Sequence, residues 1–202
     1  IKNMSTRKRA RSADTVKTTE ATEASECWIV LLRGINVGGR NVLPMRELVS
    51  TLEAAGCTDV RTYIQSGNVV LRRDASGSTE VATVVRCAIR DGHGISPAVM
   101  ALASSELRAI AAENPYQREA VTDPKSVHIY FLETAPESPD LDLLAQSKTA
   151  SEAFTLAGRA LYLHTPDGLG RSKLAASAEK AVGVAATARN ANTLNTLLEM
   201  SA

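Results

Sequence analysis

Arginine, lysine and amide side chains crowd a few glycine-bearing loops of the sequence, and acidic side chains are scarce there. Arginine binds phosphate and carboxylate groups through paired hydrogen bonds, and neighbouring amides add further donors. The sequence therefore predicts that the protein binds a small ligand bearing a phosphate or a carboxylate. The candidate ligand-binding residues are Arg33, Asn36, Arg40, Gln65, Ser66, Asn68, Arg171, Ser172, Lys173, Arg189 and Asn190.

The first of these loops, residues 34–41, is close to the phosphate-binding pattern Gly-x-x-x-x-Gly-Lys-Ser/Thr and lies between a predicted strand and a predicted helix. It departs from the pattern because Arg40 replaces the lysine and Asn41 replaces the hydroxyl that holds magnesium. The helix also begins too late, at Pro44 or Met45, for its dipole to face the loop closely. Two interpretations stay open: a nest of backbone N–H groups that binds an anion, and a glycine turn with a purely structural role.

A second basic loop, Gly170-Arg-Ser-Lys173, precedes a predicted helix for which Ser172 is the expected N-cap. Arg171 and Lys173 lie beside the positive end of the helix dipole, so a bound anion would relieve their repulsion from it. The alternative is that both are solvated charges beside an ordinary helix cap.

No set of side chains in the sequence has the spacing of a catalytic or metal site. The histidines His93, His128 and His164 lack metal-ligand spacing, so we predict no metal and assign neither a cofactor nor a catalytic residue. An enzyme stays an alternative: a transferase or hydrolase on a nucleotide-like substrate, in which arginines hold the anion and Tyr63 or His164 moves protons.

Tyr130 and Tyr162 fall on two predicted strands of the second half, and we predict that they share one face of its sheet. RNA-binding sheets stack bases on aromatic side chains placed in this way. The basic surround is thin, however, so packing of this face against the first half is the preferred interpretation. A nucleic-acid or protein-binding module is kept as a further alternative and is not favoured.

The composition excludes several classes of partner. With 23 basic and 22 acidic residues the formal net charge is +1, which gives no general attraction to nucleic acid or to an anionic membrane. The longest apolar run, Trp28–Leu32, is far shorter than the roughly 20 residues of a membrane helix, so we expect a soluble protein without a membrane partner. Three cysteines without a Cys-x-x-Cys pair favour a reducing compartment, and we predict a cytoplasmic location.

Hydrophobic periodicity predicts the elements that position the basic loops. Residues 1–26 lack it and are predicted to be a disordered tail. From residue 27 the predicted order is strand, helix, strand, strand, helix, strand and helix, and the same order then repeats. We therefore predict an α+β protein with two duplicated ferredoxin-like βαββαβ domains, 27–118 and 119–202, each with an appended C-terminal helix.

In this plan the first strand of each sheet lies between the third and the fourth, and neighbouring strands alternate in direction. The loop after the first strand and the hairpin at 65–68 then lie at the same end of the first sheet. Their polar side chains should converge there: Asn36, Arg40, Gln65, Ser66 and Asn68. A head-to-tail packing of the two domains would bring the basic loops of the second half, which contain Arg171 and Arg189, to the same cleft.

Four motifs together resemble family 1697 of the domains of unknown function, from about Trp28 to Met200. They are Leu-Leu-Arg-Gly-Ile-Asn-Val-Gly-Gly, Arg61-Thr-Tyr-Ile-Gln-Ser-Gly-Asn-Val-Val, Gly170-Arg-Ser-Lys-Leu and Ala186-Thr-Ala-Arg-Asn-x-Asn-Thr. The resemblance implies no activity, cofactor or catalytic residue, because none is established for the family. The chain departs from the family pattern at Ala191, where tryptophan is usual between the two asparagines, so a pocket formed by that aromatic would differ here.

Overall fold

Two antiparallel sheets dominate the computed structural model, which describes residues 25–202; the tail predicted at 1–26 lies almost wholly outside the described residues. The first sheet has the strand order β2-β3-β1-β4 and the second β6-β7-β5-β8. The strands are β1 (Glu26–Arg33), β2 (Thr58–Tyr63), β3 (Asn68–Arg73), β4 (Ala98–Ala103), β5 (Val127–Leu132), β6 (Ala153–Ala157), β7 (Ala160–His164) and β8 (Ala186–Asn190).

Seven α-helices accompany these strands in the described part of the chain. They are α1 (Met45–Ala54), α2 (Ser78–His93), α3 (Ser104–Ala112), α4 (Gln117–Thr122), α5 (Leu141–Ser147), α6 (Lys173–Val182) and α7 (Ala191–Met200). The short helix α4 has no counterpart in the order of elements predicted from the sequence. Within residues 25–202, no helix combines the length and the apolar character needed to cross a membrane.

The predicted strand arrangement is confirmed, because β1 pairs antiparallel with both β3 and β4, and β5 pairs in the same way with β7 and β8. The two halves also share a backbone detail. Leu32 N–H donates to Gly67 O at 2.7 Å, and at the corresponding place Leu132 N–H donates to Arg159 O at 2.9 Å. Each bond ties the end of a central strand to the hairpin beside it.

Three layers of apolar side chains hold the fold together. One face of the first sheet packs on α1 and α2 through residues such as Leu48 and Val85. One face of the second sheet packs on α6 and α5 through residues such as Leu174. The remaining faces form a central core with α3 and α7, in which Ile29 of the first half and Phe131 of the second are completely buried. The two halves therefore share a core that neither could complete alone.

The prediction that Tyr130 and Tyr162 share a face is wrong. In the antiparallel register Tyr162 lies opposite Ile129, and Tyr130 lies opposite Leu161. Directly opposed residues point to the same face, so the two tyrosines point to opposite faces. Tyr162 is fully buried in the central core and its hydroxyl donates to Ile110 O at 2.8 Å. This tyrosine is not available to stack on a nucleic-acid base.

Candidate functional site

Asn36 fastens the first basic loop to the β2–β3 hairpin. Its Nδ2 donates to Leu43 O at 3.0 Å and to Gln65 O at 2.9 Å, and its Oδ1 accepts from Leu43 N at 2.8 Å. Asn36 has a φ of 53°, a left-handed conformation that asparagine tolerates better than most residues. The two loops therefore meet as the topology requires, but the Asn36 amide is occupied by backbone groups.

Arg189 of β8 reaches from the second half into the same hairpin. Its Nε donates to Asn68 Oδ1 at 2.5 Å, and its Nη2 donates to Leu32 O at 2.8 Å and to Ser66 O at 3.1 Å. No carboxylate of the described residues lies within ion-pair distance of Arg189. Burial lowers the pKa of Arg189 to about 10, so its guanidinium stays charged at neutral pH. Protein oxygens take the place of water around this cation.

Arg33, at the end of β1, pairs across the two halves with Glu179 of α6. Both guanidinium Nη atoms take part, at 2.5 and 2.7 Å from the two carboxylate oxygens. The hydrogen bonds raise the pKa of Arg33 and lower the pKa of Glu179. Arg33 also donates to Ala186 O at 3.0 Å. This predicted site residue is therefore largely occupied by the contact between the halves.

The remaining predicted residues divide into caps and exposed side chains. Ser172 caps α6 by accepting from Ala175 N, as predicted, and Asn190 caps α7 by accepting from Thr193 N. Ser104 does not cap α3, because it is the first residue of that helix and its hydroxyl accepts from Arg108. Four exposed side chains make no hydrogen bond or ion pair to a described residue: Arg40, Gln65, Arg171 and Lys173.

The structure thus unites one group of the predicted residues and leaves another apart. Hydrogen bonds join the first basic loop to the hairpin, and the hairpin to Arg189. No hydrogen bond or ion pair of the described residues connects Arg171 or Lys173 to that group. Ala191 is the position at which the family pattern usually has tryptophan. It lies at the start of α7 and is buried in the central core with 2% of its surface exposed.

A cleft of about 210 Å³ lies between the two halves, beside the contact made by Arg33. One wall comes from α2 and β4 of the first half, with Met100 and Ala101 among its apolar residues. The other wall comes from the second half and includes Glu133, Arg159 and the start of β8. Of the residues predicted from the sequence as ligand-binding, Arg33 is the one that lines this cleft.

Two reciprocal ion pairs join the walls of the cleft. Arg33 of the first half pairs with Glu179 of the second, and Arg159 of the second half pairs with Glu106 of the first at 2.7 Å. Arg159 also donates from its Nε to Leu132 O at 3.1 Å. Each half therefore contributes one arginine and one glutamate to the joint, and both arginines line the cleft.

Helix α2 presents a polar stripe to the cleft. Thr79, Thr83 and Arg86 line it, and their spacings of four and three residues place them on one side of the helix. Ser78, the residue before Thr79, lines the cleft as well. The opposite side, including Val85, is buried. Sequence reasoning missed this stripe because a polar face on an exposed helix is the ordinary case.

Arg86 stands out among the cations of the cleft. Its only side-chain hydrogen bond within residues 25–202 goes from Nη2 to Thr83 Oγ1 at 3.2 Å, and no described carboxylate pairs with it. A guanidinium carries five N–H donors, so most of its donors are available to a ligand. Arg33 and Arg159, by contrast, are each held by a glutamate.

The histidines do not form a common site. His93 lies in α2 with its Nε2 at 2.8 Å from Thr51 Oγ1, and His164 packs against Tyr116 with ring centroids 6.0 Å apart. His128 is buried in β5, and burial lowers its pKa. Among the described residues, no three His, Cys, Asp or Glu side chains are grouped so as to hold a metal ion.

Comparison with known proteins gives a family match and a similar solved structure. The chain matches the family described as protein of unknown function (DUF1697) over residues 26–162, which is more than half of its length. Its fold is similar to the structure of a conserved bacterial protein from Streptococcus pneumoniae, with a TM-score of 0.68 and 20% identity over 89% of this chain and 100% of the other. A search of curated proteins found no significant match. By the extent of the family match, the chain belongs to the DUF1697 family.

Proposed function

We propose that the protein binds a small carboxylate- or phosphate-bearing ligand in the cleft between its halves, with Arg86 as the main anion-binding side chain. The observation that carries this proposal is the charge state of the cleft walls. Arg86 is the cleft cation that no carboxylate of the described residues neutralises. The proposal keeps the ligand class expected from the basic loops and moves its centre to α2.

The contacts of the other candidate cations support this choice. Arg189 donates hydrogen bonds to four protein oxygens, so few of its donors are left for a ligand. Arg33 binds Glu179 with both Nη atoms. Arg40 and Lys173 are exposed and are not among the residues that line the cleft. A second anion site at these loops would have to bind its ligand on an open surface.

The surroundings of Arg86 suit an anionic group. The hydroxyls of Ser78, Thr79 and Thr83 lie on the same stripe and can donate to its oxygens. The first turn of α2 also leaves backbone N–H groups without intrahelical partners, at the positive end of the helix dipole. Met100 and Ala101 supply an apolar surface for the rest of the ligand.

The size of the cleft limits the ligand. Its volume of about 210 Å³ is that of roughly seven water molecules in the liquid, at about 30 Å³ each. Sites for drug-sized ligands span roughly 300–1,000 Å³. A ligand of amino-acid size therefore fits, whereas a nucleotide would extend beyond the walls. The alternative of an enzyme acting on a nucleotide-like substrate would therefore leave part of that substrate outside this open cleft.

We interpret each half, 27–118 and 119–202, as a ferredoxin-like domain with an appended C-terminal helix that arose by duplication. The repeated strand order and the paired backbone bonds at Leu32 and Leu132 support this interpretation. In this view the cleft is the seam between two copies of one ancestral unit.

The three cysteines of the sequence are all unpaired, which supports the cytoplasmic location.

Ligand titration by calorimetry and thermal shift tests the proposal. The probes are inorganic phosphate, sulfate, propionate and malonate, with the wild-type protein and the variants Arg86→Gln and Arg90→Gln. Arg90 is the matched control, because it lies one turn further along α2, is exposed, and pairs with Asp91. We expect at least one probe to bind and Arg86→Gln to weaken it at least tenfold, about 1.4 kcal/mol.

Arg90→Gln should bind as the wild type does. The proposal is wrong if no probe binds, or if Arg86→Gln and Arg90→Gln bind equally well. Parallel variants Arg40→Gln and Lys173→Gln test the basic loops directly. Loss of binding in those two with full binding in Arg86→Gln would return the site to the loops.

A further inference from the structure

Glu133 is the second charged side chain of the cleft without an ionic partner. It follows directly after β5, and its backbone N–H donates to Ala185 O at 2.9 Å, which fixes its position on the wall formed by the second half. Its carboxylate makes no hydrogen bond or ion pair to any residue in the range 25–202. Its side chain is exposed at the cleft.

Two charged side chains of the cleft, one cation and one anion, therefore have no ionic partner among the described residues. Arg33, Arg86, Arg159 and Glu133 line the walls. The pairs that Arg33 and Arg159 make with Glu179 and Glu106 neutralise those two arginines. Arg86 on the first half and Glu133 on the second remain, and they are not within ion-pair distance of each other.

We propose that the natural ligand is a small zwitterion, with its carboxylate or phosphate on Arg86 and an ammonium group on Glu133. This inference rests on the proposed function and names the ligand class of the same site. A purely anionic ligand would bring a further negative charge into a cleft that already holds the Glu133 carboxylate, and like charges repel each other. An ammonium group removes that repulsion and forms charge-assisted hydrogen bonds with the carboxylate.

The cleft volume agrees with this ligand class. Small amino acids and amine-bearing phosphate esters have one group of each sign within a few bonds, and they are of a size that about 210 Å³ accommodates. Both kinds of compound present the same pair of charges to Arg86 and Glu133. The experiment separates the two sources by including both.

The test compares ligands that differ only by an amino group: β-alanine with propionate, γ-aminobutyrate with butyrate, and phosphoethanolamine with ethyl phosphate. Each is titrated by calorimetry into the wild type, Arg86→Gln, Glu133→Gln and Glu137→Gln, with folding checked by circular dichroism. Glu137 is a nearby exposed glutamate that does not line the cleft and serves as the control. We expect at least one amine-bearing member to bind tenfold or more tightly than its partner.

In Glu133→Gln that preference should disappear while binding of the amine-free ligands persists, and Glu137→Gln should retain the preference. If the amine-free ligands bind as tightly as their partners, and Arg86→Gln still abolishes binding, the zwitterion is refuted and the anion site stands. If neither member of any pair binds, the proposed function falls together with this inference. If amines alone bind and Arg86→Gln has no effect, the site binds cations and both proposals are wrong.

Discussion

Replacement of Arg189 by methionine removes the guanidinium that joins β8 to the hairpin of the first half through hydrogen bonds. The variant loses hydrogen bonds to Asn68 Oδ1, Leu32 O and Ser66 O, and one bond to Ala188 O within its own strand. Methionine has a comparable length and fills most of the same space. The measured change therefore reports mainly on the lost hydrogen bonds.

The magnitude follows from the burial of the acceptors. Asn68 is 0% exposed and Leu32 is 1% exposed, so their oxygens cannot turn to water, whereas Ser66 is exposed and can. Two buried acceptors without donors cost about 1–3 kcal/mol each. Removal of a partly buried charge relieves a desolvation penalty, so we expect a net loss of about 2–4 kcal/mol in the free energy of unfolding.

Urea denaturation followed by circular dichroism measures this loss as a shift of roughly 1 M in the midpoint, given slopes of about 1–3 kcal/mol per molar urea. Arg171→Met is the control, because Arg171 is exposed and its side chain makes no hydrogen bond to another residue of the range 25–202. It should lie within about 0.5 kcal/mol of the wild type. If Arg189→Met were equally harmless, and instead weakened anion binding, the structural role assigned to Arg189 would be refuted.

Two further variants test the packing. Tyr162→Phe leaves Ile110 O, near the end of α3, without its donor, and should cost about 1–2 kcal/mol in urea titrations. Burial raises the pKa of Tyr162 to about 12, so the unfolded chain releases this proton at lower pH than the folded one. The free energy of unfolding of the wild type should therefore fall by about 2 kcal/mol between pH 10 and 12, and Tyr162→Phe should lack that part of the fall. Gly67→Ala places a methyl group 2.5 Å from Leu32 Cβ, at a φ of +77° that alanine rarely adopts. The free energy of unfolding should therefore fall by about 2–5 kcal/mol. A fall of less than about 1 kcal/mol would contradict the hairpin geometry.

The fold was largely accessible from the sequence because its strands and helices differ in hydrophobic period. Hydrophobic periodicity predicted all eight strands in their observed order along the chain, and the strand order within each sheet agrees with the predicted plan. The face of Tyr162 was assigned wrongly because one residue of register reverses every side chain of a strand. The short helix α4 has six residues, too few for a periodic signal.

The site was harder to predict, because a sequence shows which side chains can donate hydrogen bonds but not which groups of the folded protein already accept them. Asn36 and Asn68 were expected to converge, and Arg189 was expected to join them only if the two halves packed head to tail. In the structure each of the three side chains is bound by oxygens or N–H groups of the protein. Most of these partners are backbone groups, which every residue carries and no sequence pattern marks. Arg86 shows the converse: its neighbours on α2 are visible in the sequence, yet the wall that faces them comes from residues about 50 and 100 positions later.

The distribution of polar contacts separates what holds the halves together from what shapes the cleft. The pair between Arg33 and Glu179 is nearly half exposed on both sides, and exposed pairs contribute about 0–1 kcal/mol each. The central core, with Ile29 and Phe131 completely buried, therefore supplies most of the free energy that joins the two halves. The main effect of the ion pairs is therefore on charge: they neutralise Arg33 and Arg159, and Arg86 remains as the cleft cation without a carboxylate partner among the described residues. Under the proposed function, a chain with balanced charges would thus bind an anion locally without a positive field over its whole surface.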